Sequence, residues 1–196
     1  MSEQECPHGD HPSCCIDCMA GPPPERPNRP KAPAKTQSSK KSDDTVIDAK
    51  GYTKAVMFLW SPDGYGFHDI ADIERRTSNG ETFEYTWSLG SRTNYLVGER
   101  FYLLRSGRDH AIIGAGKVTA LPFKDEHWEE PDRSEWYVRI EFDGFSQAGL
   151  STDVLEASFG DVHWRIQSSG KRIENRDVID GVEKLWAEHL KEVSRR

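Results

Sequence analysis

The sequence predicts an α+β protein, a small mixed β-barrel with short flanking helices. A short Cys/His-rich segment and then a disordered linker precede this barrel in the chain. Apolar runs of strand length recur between turn residues after residue 50, which is typical of a barrel of short strands. One of these runs is interrupted by Gly114 and Gly116, and glycines inside a strand mark bends or a close approach of backbone, as at barrel corners. The composition changes near residue 50, because the prolines and serines of residues 21–50 give way to apolar runs.

The predicted strands span Ala55–Trp60, 81–88, 101–105, Ala111–Val118 and 136–142. The first is continuously apolar and should be buried on both faces, whereas the last alternates and should be half exposed. Phe83, Tyr85 and Trp87 alternate on one face of the second strand.

Three helices are also predicted. They are a short helix over 67–76, another over Thr152–Ser158, and a final helix that Asn175 caps. The apolar stripe of the final helix consists of Val178, Val182, Leu185, Trp186, His189 and Val193.

Composition separates a domain at 51–196 from a linker at 21–50 and a segment at 1–20. The chain has 196 residues, of which 35% are hydrophobic and 30% charged, so part of it should be solvated. Its net charge of -7 argues against a protein that coats nucleic acid by electrostatic attraction, although it permits a site that reads one base. No apolar run approaches the length of a membrane span and no signal pattern is present, so we expect a cytoplasmic protein without a membrane partner.

The first 20 residues hold every cysteine of the chain and two histidines, and they predict a zinc site. The spacing Cys15-x-x-Cys18 is typical of a metal knuckle, with Cys14-x-x-x-Cys18 as the alternative pair. Two further ligands would complete the tetrahedron. The candidate ligands are Cys6, His8, His11, Cys14, Cys15 and Cys18. A segment this short has almost no core, so zinc would supply its folding free energy. The alternative is a disordered tail with incidental thiols.

Residues 21–50 combine prolines, then serines, with several lysines and arginines. This composition predicts an extended, flexible linker. The basic residues could form a loose phosphate-contacting arm, but a solvated tether is the favoured interpretation, because charge runs are usually only solvated.

The stretch 85–105 is the candidate binding site, because aromatic and polar groups cluster there at the end of a strand. A barrel places a pocket at such an end, and flat aromatic walls with a few polar edges suit a nucleobase. Trp87 and Ser88 lead this stretch, and Arg92, Asn94 and Arg105 follow. The alternative is that Trp87 is only a core residue beside a turn.

Four motifs give residues 52–190 a resemblance to the EVE domain family of PUA-like barrels, which is related to the YTH readers of methylated RNA. They are 58–60, 87–94, 98–105 and 112–118. The chain is most similar to the EVE version found beside HNH nucleases in modification-dependent restriction enzymes, which it also resembles at 122–128 and 164–170.

The resemblance implies recognition of a modified base, flipped out of the nucleic acid into an aromatic cage. Modified cytosine in DNA, such as 5-methylcytosine, is the expected ligand. Trp87 would be one wall, Trp60 or Tyr65 would complete the cage, and Ser88 and Asn94 would address the base edge. Flanking phosphates would meet a set of basic residues: Arg92, Arg105 and Lys117.

No nuclease motif or other catalytic constellation is recognisable in the sequence, so we expect a reader without enzymatic activity of its own. It could recruit an effector nuclease. Two alternatives stay open, an RNA-binding PUA-like accessory protein and a subunit of a modification-dependent nuclease.

Overall fold

The computed structural model describes residues 54–64, 67–90, 92–127, 130 and 132–195. The predicted zinc segment at 1–20, the linker at 21–50 and Tyr65 lie outside the described residues. No helix in the described part of the chain is both long enough and apolar enough to cross a membrane.

One mixed sheet of seven strands forms the centre of the domain. The strands are β1 (Ala55–Trp60), β2 (Phe83–Ser88), β3 (Arg100–Arg105), β4 (Ala111–Val118), β5 (Phe123–Glu126), β6 (Ser134–Ser151) and β7 (Lys171–Ile173). Their order is β2-β6-β4-β3-β1-β7, with β5 paired to the first part of β6. Among the described strands, β1 and β3 pair in parallel and the other ladders are antiparallel.

The residues that the structure describes also form three helices: α1 (Ile70–Ser78), α2 (Thr152–Ser158) and α3 (Arg176–Val193). The side chains of Ser151 and Asn175 accept hydrogen bonds from backbone N–H groups in the first turns of α2 and α3. The α+β class is therefore confirmed, and so are the final helix and its predicted cap. The first helix begins at Ile70 rather than at residue 67.

The β1 strand is buried on both faces, as its continuous apolar run predicts. Val56 and Phe58 belong to one cluster of buried side chains, the inner cluster, while Ala55 and Met57 belong to a second, the outer cluster. Successive side chains of a strand point to opposite faces, so the two clusters lie on opposite faces of the sheet. The helices α2 and α3 contribute to the outer cluster, and α1 contributes to the inner one.

The glycines of β4 allow the sheet to bend. A Cβ at Gly116 would lie 2.0 Å from the carbonyl oxygen of Glu141, and one at Gly114 would lie 2.8 Å from Phe142. The β4–β6 register shifts beside both glycines. The predicted close approach of backbone is thus confirmed at Gly116, whereas at Gly114 the close neighbours are the Phe142 and Phe145 side chains.

The closed barrel of the sequence-based prediction is not shown. The described ladders leave β2 and β7 as the two ends of the sheet, and none of them pairs these strands with each other. The sheet is nevertheless strongly curled, because Trp87 of β2 packs against Phe58 of β1 with ring centroids 6.0 Å apart. Side-chain packing, rather than a described ladder, joins these two strands.

Candidate functional site

A cavity opens where the parallel strands β1 and β3 end. Trp60 and Arg105 are partners in the last rung of this ladder. Both side chains follow the alternation of the inner face, so they point to the same side of the sheet. The cavity has a volume of about 420 Å³. It is lined by Trp60, Pro62, Asp63, Ile70, Arg105, Ser106, Gly107, Arg108, Asp109, Ile113, Phe145 and Gln147.

Two backbone carbonyls hold the Arg105 guanidinium at the rim of this cavity. Its Nε donates to the carbonyl oxygen of Asp109 at 3.3 Å, and its Nη1 donates to that of Gln147 at 2.8 Å. These bonds orient the guanidinium plane and leave Nη2 with donors for a ligand. Arg105 is therefore a positioned cation rather than a freely moving one.

The Trp60 indole provides an aromatic wall and a hydrogen-bond donor. Its ring packs against Phe67 with centroids 5.7 Å apart, and its buried Nε1 has no hydrogen-bond partner among the described residues. A buried donor without a partner costs about 1–3 kcal/mol. A ligand that brought an acceptor to this N–H would recover that free energy.

The charges around the cavity are mixed. Arg105 and Arg108 are cationic, and Asp63 and Asp109 are anionic. Arg108 is exposed and forms no ion pair within the described part of the chain. A site with both signs suits a ligand that has a neutral, polar edge and a neighbouring anionic group, which is the composition of a nucleotide.

One wall of the cavity is fastened to α1. The Glu74 carboxylate accepts from the backbone N–H of Gln147 at 2.8 Å and from its side-chain Nε2 at 2.5 Å. These two bonds hold the middle of α1 against β6, and Ile70 at the start of α1 lines the cavity. The cavity is thus built from the sheet, the β3–β4 hairpin and α1 together.

Trp87 lies in the inner cluster and is only 9% exposed. It does not line the cavity. Phe67 packs against both predicted cage tryptophans, with its ring centroid 5.7 Å from each of the two indoles. The structure therefore places the two predicted cage tryptophans against one shared ring, that of Phe67.

Ser88 and Lys117 lie away from the cavity. Ser88 follows Trp87 in β2 and therefore points to the opposite face of the sheet. Its partner in the ladder is Tyr137, far along β6 from the cavity-lining Phe145. Lys117 lies at the other end of β4 and pairs with Glu141 at 2.8 Å.

Arg92 and Asn94 fasten the segment 92–99 to the opposite edge of the sheet. Arg92 Nη1 donates to the carbonyl oxygen of Gly170 at 2.8 Å, and the carbonyl oxygen of Asn94 accepts a bond from Arg172. Arg172 also donates to Glu99 at 2.7 Å. Burial raises the pKa of the nearby Tyr95 phenol. This geometry supplies a structural reason for the predicted Arg92 and Asn94, and it does not bring them to the cavity.

Comparisons with known proteins give weak structural matches. No family model matches the sequence, and no curated protein does. A hypothetical protein from Leishmania major has a TM-score of 0.45 and 12% identity, over 69% of this chain and 96% of that one. The ASCH protein from Zymomonas mobilis has a TM-score of 0.42 and 10% identity, over 68% and 96%. The DUF55 domain of human thymocyte nuclear protein 1 has a TM-score of 0.36 and 13% identity, over 55% and 76%.

At these scores the matches carry no argument about function. The resemblance to the EVE domain family remains a prediction from the sequence motifs. The case for a function rests on the cavity beside Trp60.

Several cavity residues were not recognised in the sequence. Arg108 stands beside Gly107 in a turn between two predicted strands, which is a signal that could have identified it. Phe145 and Gln147 were missed because the predicted strand stops at residue 142, whereas β6 continues to Ser151. Pairing with β4 extends the strand through Gly144, and such pairing is not visible in local sequence.

Proposed function

We propose that this domain binds nucleic acid and holds one modified base, flipped out of the strand, in the cavity beside Trp60. A modified cytosine in DNA is the proposed ligand, and the domain acts as a reader without nuclease activity of its own. The observation that carries the proposal is the pairing of Trp60 with Arg105 in one cavity of about 420 Å³.

Each group at the cavity has a role in this proposal. The Trp60 ring stacks on the base, and its Nε1–H donates to an acceptor on the base edge. The Nη2 of Arg105, and Arg108 beside it, meet the flanking phosphates. The side-chain carboxylates at the rim accept from an exocyclic amino group, such as the one that cytosine carries.

The free energies are compatible with a flipped base. Extruding a base costs a few kcal/mol, and base–aromatic stacking is worth about 1–3 kcal/mol per base. Edge hydrogen bonds must supply the rest, so the site should discriminate between bases. The net charge of -7 makes non-specific attraction to the phosphate backbone weak. Affinity should therefore depend on the base more than on the length of the duplex.

A binding panel with the full chain tests the proposal. Duplexes containing cytosine, 5-methylcytosine, 5-hydroxymethylcytosine or N6-methyladenine, and matched RNA, are titrated at one fixed salt concentration. Trp60→Ala should raise the Kd for the preferred probe by about ten- to a hundredfold, which corresponds to the loss of one stacking contact. Arg105→Ala should weaken all probes to a similar extent, because it acts on phosphates.

Trp136→Ala is the matched control. Trp136 is also partly buried against the inner cluster, but it does not line the cavity. The control should leave the preference among probes unchanged. The proposal would be contradicted if Trp60→Ala and Trp136→Ala lost affinity for the preferred probe to the same extent. It would also be contradicted if the wild type bound all the DNA probes with equal affinity. Tighter binding to RNA than to every duplex would favour the RNA-binding alternative, and cleavage of a modified duplex would favour the nuclease alternative.

A further inference from the structure

Phe67 occupies the centre of an aromatic enclosure. Its ring centroid lies 5.1 Å from that of Tyr85, 5.7 Å from those of Trp60 and Trp87, and 5.9 Å from that of Phe145. The ring stands at 90° to Trp87 and at 77° to Tyr85. Phe67 thus fills the space that two tryptophans, a tyrosine and a phenylalanine surround.

The enclosure lies directly behind the cavity. Trp60 and Phe145 line the cavity and also contact Phe67, whereas Trp87 and Tyr85 contact Phe67 from positions outside the cavity lining. Removal of the Phe67 ring would therefore extend the cavity to the faces of Trp87 and Tyr85. A base that entered this space would meet aromatic surface on more than one side.

Phe67 is held by side-chain packing rather than by secondary structure. It lies before the first residue of α1 and belongs to no helix or strand, although its side chain is only 7% exposed. Its ring can leave the enclosure without breaking a ladder or an α1 hydrogen bond. The residues that surround it are, by contrast, mostly placed on strands of the sheet.

We propose that Phe67 is an exchangeable plug, and that a flipped base displaces it and takes its place among the rings of Trp60, Trp87 and Tyr85. The described structure is then the closed form of the reader. This inference rests on the proposed function, and it reconciles the predicted tryptophan cage with the buried position of Trp87.

The physical basis is an exchange of one ring for another. The burial of a phenylalanine ring and the stacking of a base on an aromatic wall are worth similar free energies, so the exchange is nearly balanced. If a base binds only the open form, its apparent affinity is its intrinsic affinity multiplied by the fraction of molecules that are open. A base must therefore bind strongly enough to displace the Phe67 ring. Only a base that also forms edge hydrogen bonds should do so.

Phe67→Ala and Phe67→Leu test the plug on the full chain, with the same duplex panel. Removing the ring takes away the competitor, so Phe67→Ala should bind the preferred modified duplex about tenfold to a hundredfold more tightly than the wild type. Phe67→Leu keeps most of the apolar volume, and it replaces Phe67→Ala in the test if the alanine variant does not fold. It should show a smaller gain. Phe101→Ala is the control, because Phe101 packs against Phe58 and Phe142 in the same inner cluster but does not line the cavity.

Association kinetics give a second readout. The observed rate for the wild type should level off as the duplex concentration rises, because opening becomes limiting, and it should stay linear for Phe67→Ala. The plug would be overturned, and the proposed function would stand, if the wild type bound the duplex and neither Phe67 variant bound it more tightly. The same conclusion would follow if Phe101→Ala gained as much affinity as Phe67→Ala. The absence of binding to any probe by the wild type and by the variants would overturn both.

Discussion

The ring of Trp87 packs against that of Phe58 at a centroid distance of 6.0 Å, although β6, β4 and β3 lie between their strands in the sheet. This contact is possible only because the sheet curls until its two sides meet. Leu89 and Tyr95, in the chain that follows Trp87, are buried in the same inner cluster, and Tyr95 also packs against Phe58 at 5.6 Å. Trp87 is therefore a closing contact of the fold, whatever its role in binding.

Trp87→Ala should lower the free energy of unfolding by about 3–5 kcal/mol, as expected for truncation of a buried tryptophan. Trp87→Phe should cost less, because it keeps an aromatic ring against Phe58. Urea unfolding monitored by circular dichroism measures both changes. A loss of less than 1 kcal/mol for the alanine variant would mean that Trp87 does not join the two sides of the sheet. Binding by Trp87→Ala must be measured under conditions in which this variant is still folded.

An ion cluster around the buried Arg100 fastens α3 to the outer face of the sheet. The Arg100 guanidinium, whose side chain is 4% exposed, donates to both carboxylate oxygens of Glu183 at 2.8 and 3.0 Å, and also to Asp143. Burial by itself lowers the pKa of Arg100, but the two carboxylates outweigh it and raise the pKa. The cluster also includes Tyr102, which donates to Glu183 at 2.5 Å.

Arg100→Ala should therefore destabilise the domain by about 1.5–3 kcal/mol, which is the range for hydrogen bonds to charged groups, because the Glu183 and Asp143 carboxylates remain partly exposed to water. Arg165→Ala is the comparison. Arg165 also contacts two carboxylates, those of Asp153 and Glu156, but at a solvent-exposed site. Its removal should cost at most about 1 kcal/mol. Equal losses of unfolding free energy would show that burial adds nothing to the Arg100 cluster.

Alkaline pH should destabilise the domain through Tyr102. Burial, together with the negative charge of Glu183, raises the pKa of this phenol above its ordinary value of 10.0. The folded protein then keeps the proton at a pH where the unfolded chain releases it. This contribution to stability is complete below pH 10 and is lost as the pH rises above it, by about 1.4 kcal/mol per pH unit.

Tyr102→Phe should flatten this dependence above pH 10 while lowering stability at neutral pH, because the bond to Glu183 is lost. Unfolding curves at a series of pH values from 7 to about 11.5 measure the slope. An unchanged slope in the variant would assign the alkaline sensitivity to another group, and Tyr95, whose pKa burial also raises, would be the next candidate.

The domain at 51–196 should fold without the preceding residues. Among the described residues, both hydrophobic clusters are formed by Ala55 and later positions, and a chain that starts near Thr45 keeps all of them. Its urea midpoint should equal that of the full chain. A truncated protein without a cooperative transition would contradict this prediction.

The segment at 1–20 should bind one zinc ion through Cys6, His8 or His11, and two of Cys14, Cys15 and Cys18. Metal analysis of reduced, untagged protein should find about one zinc per chain. Replacement of both Cys15 and Cys18 by serine should abolish it, while the stability of the domain stays unchanged. Freshly reduced wild type without zinc would remove the basis for a metal knuckle.

Local sequence determined most of the elements. The continuous apolar run of β1, the alternation in β2, the interruption of β4 by Gly114 and Gly116, and the Asn175 cap all depend on neighbouring residues, so their pattern is visible along the chain. The short strands β5 and β7 were missed, because four- and three-residue strands carry little pattern of their own. They form because the edges of β6 and β1 provide backbone groups with which they pair.

The candidate site depends on contacts between residues distant in sequence, and only the tertiary structure decided it. The sequence identifies Trp60, Trp87 and Arg105 as suitable groups for a base and a phosphate, but it cannot say which of them meet. The parallel pairing of β1 with β3 brings Trp60 to Arg105, and the curl of the sheet buries Trp87 behind Phe67. Strand register and sheet curvature arise from the packing of the whole core, and no short stretch of the chain encodes them.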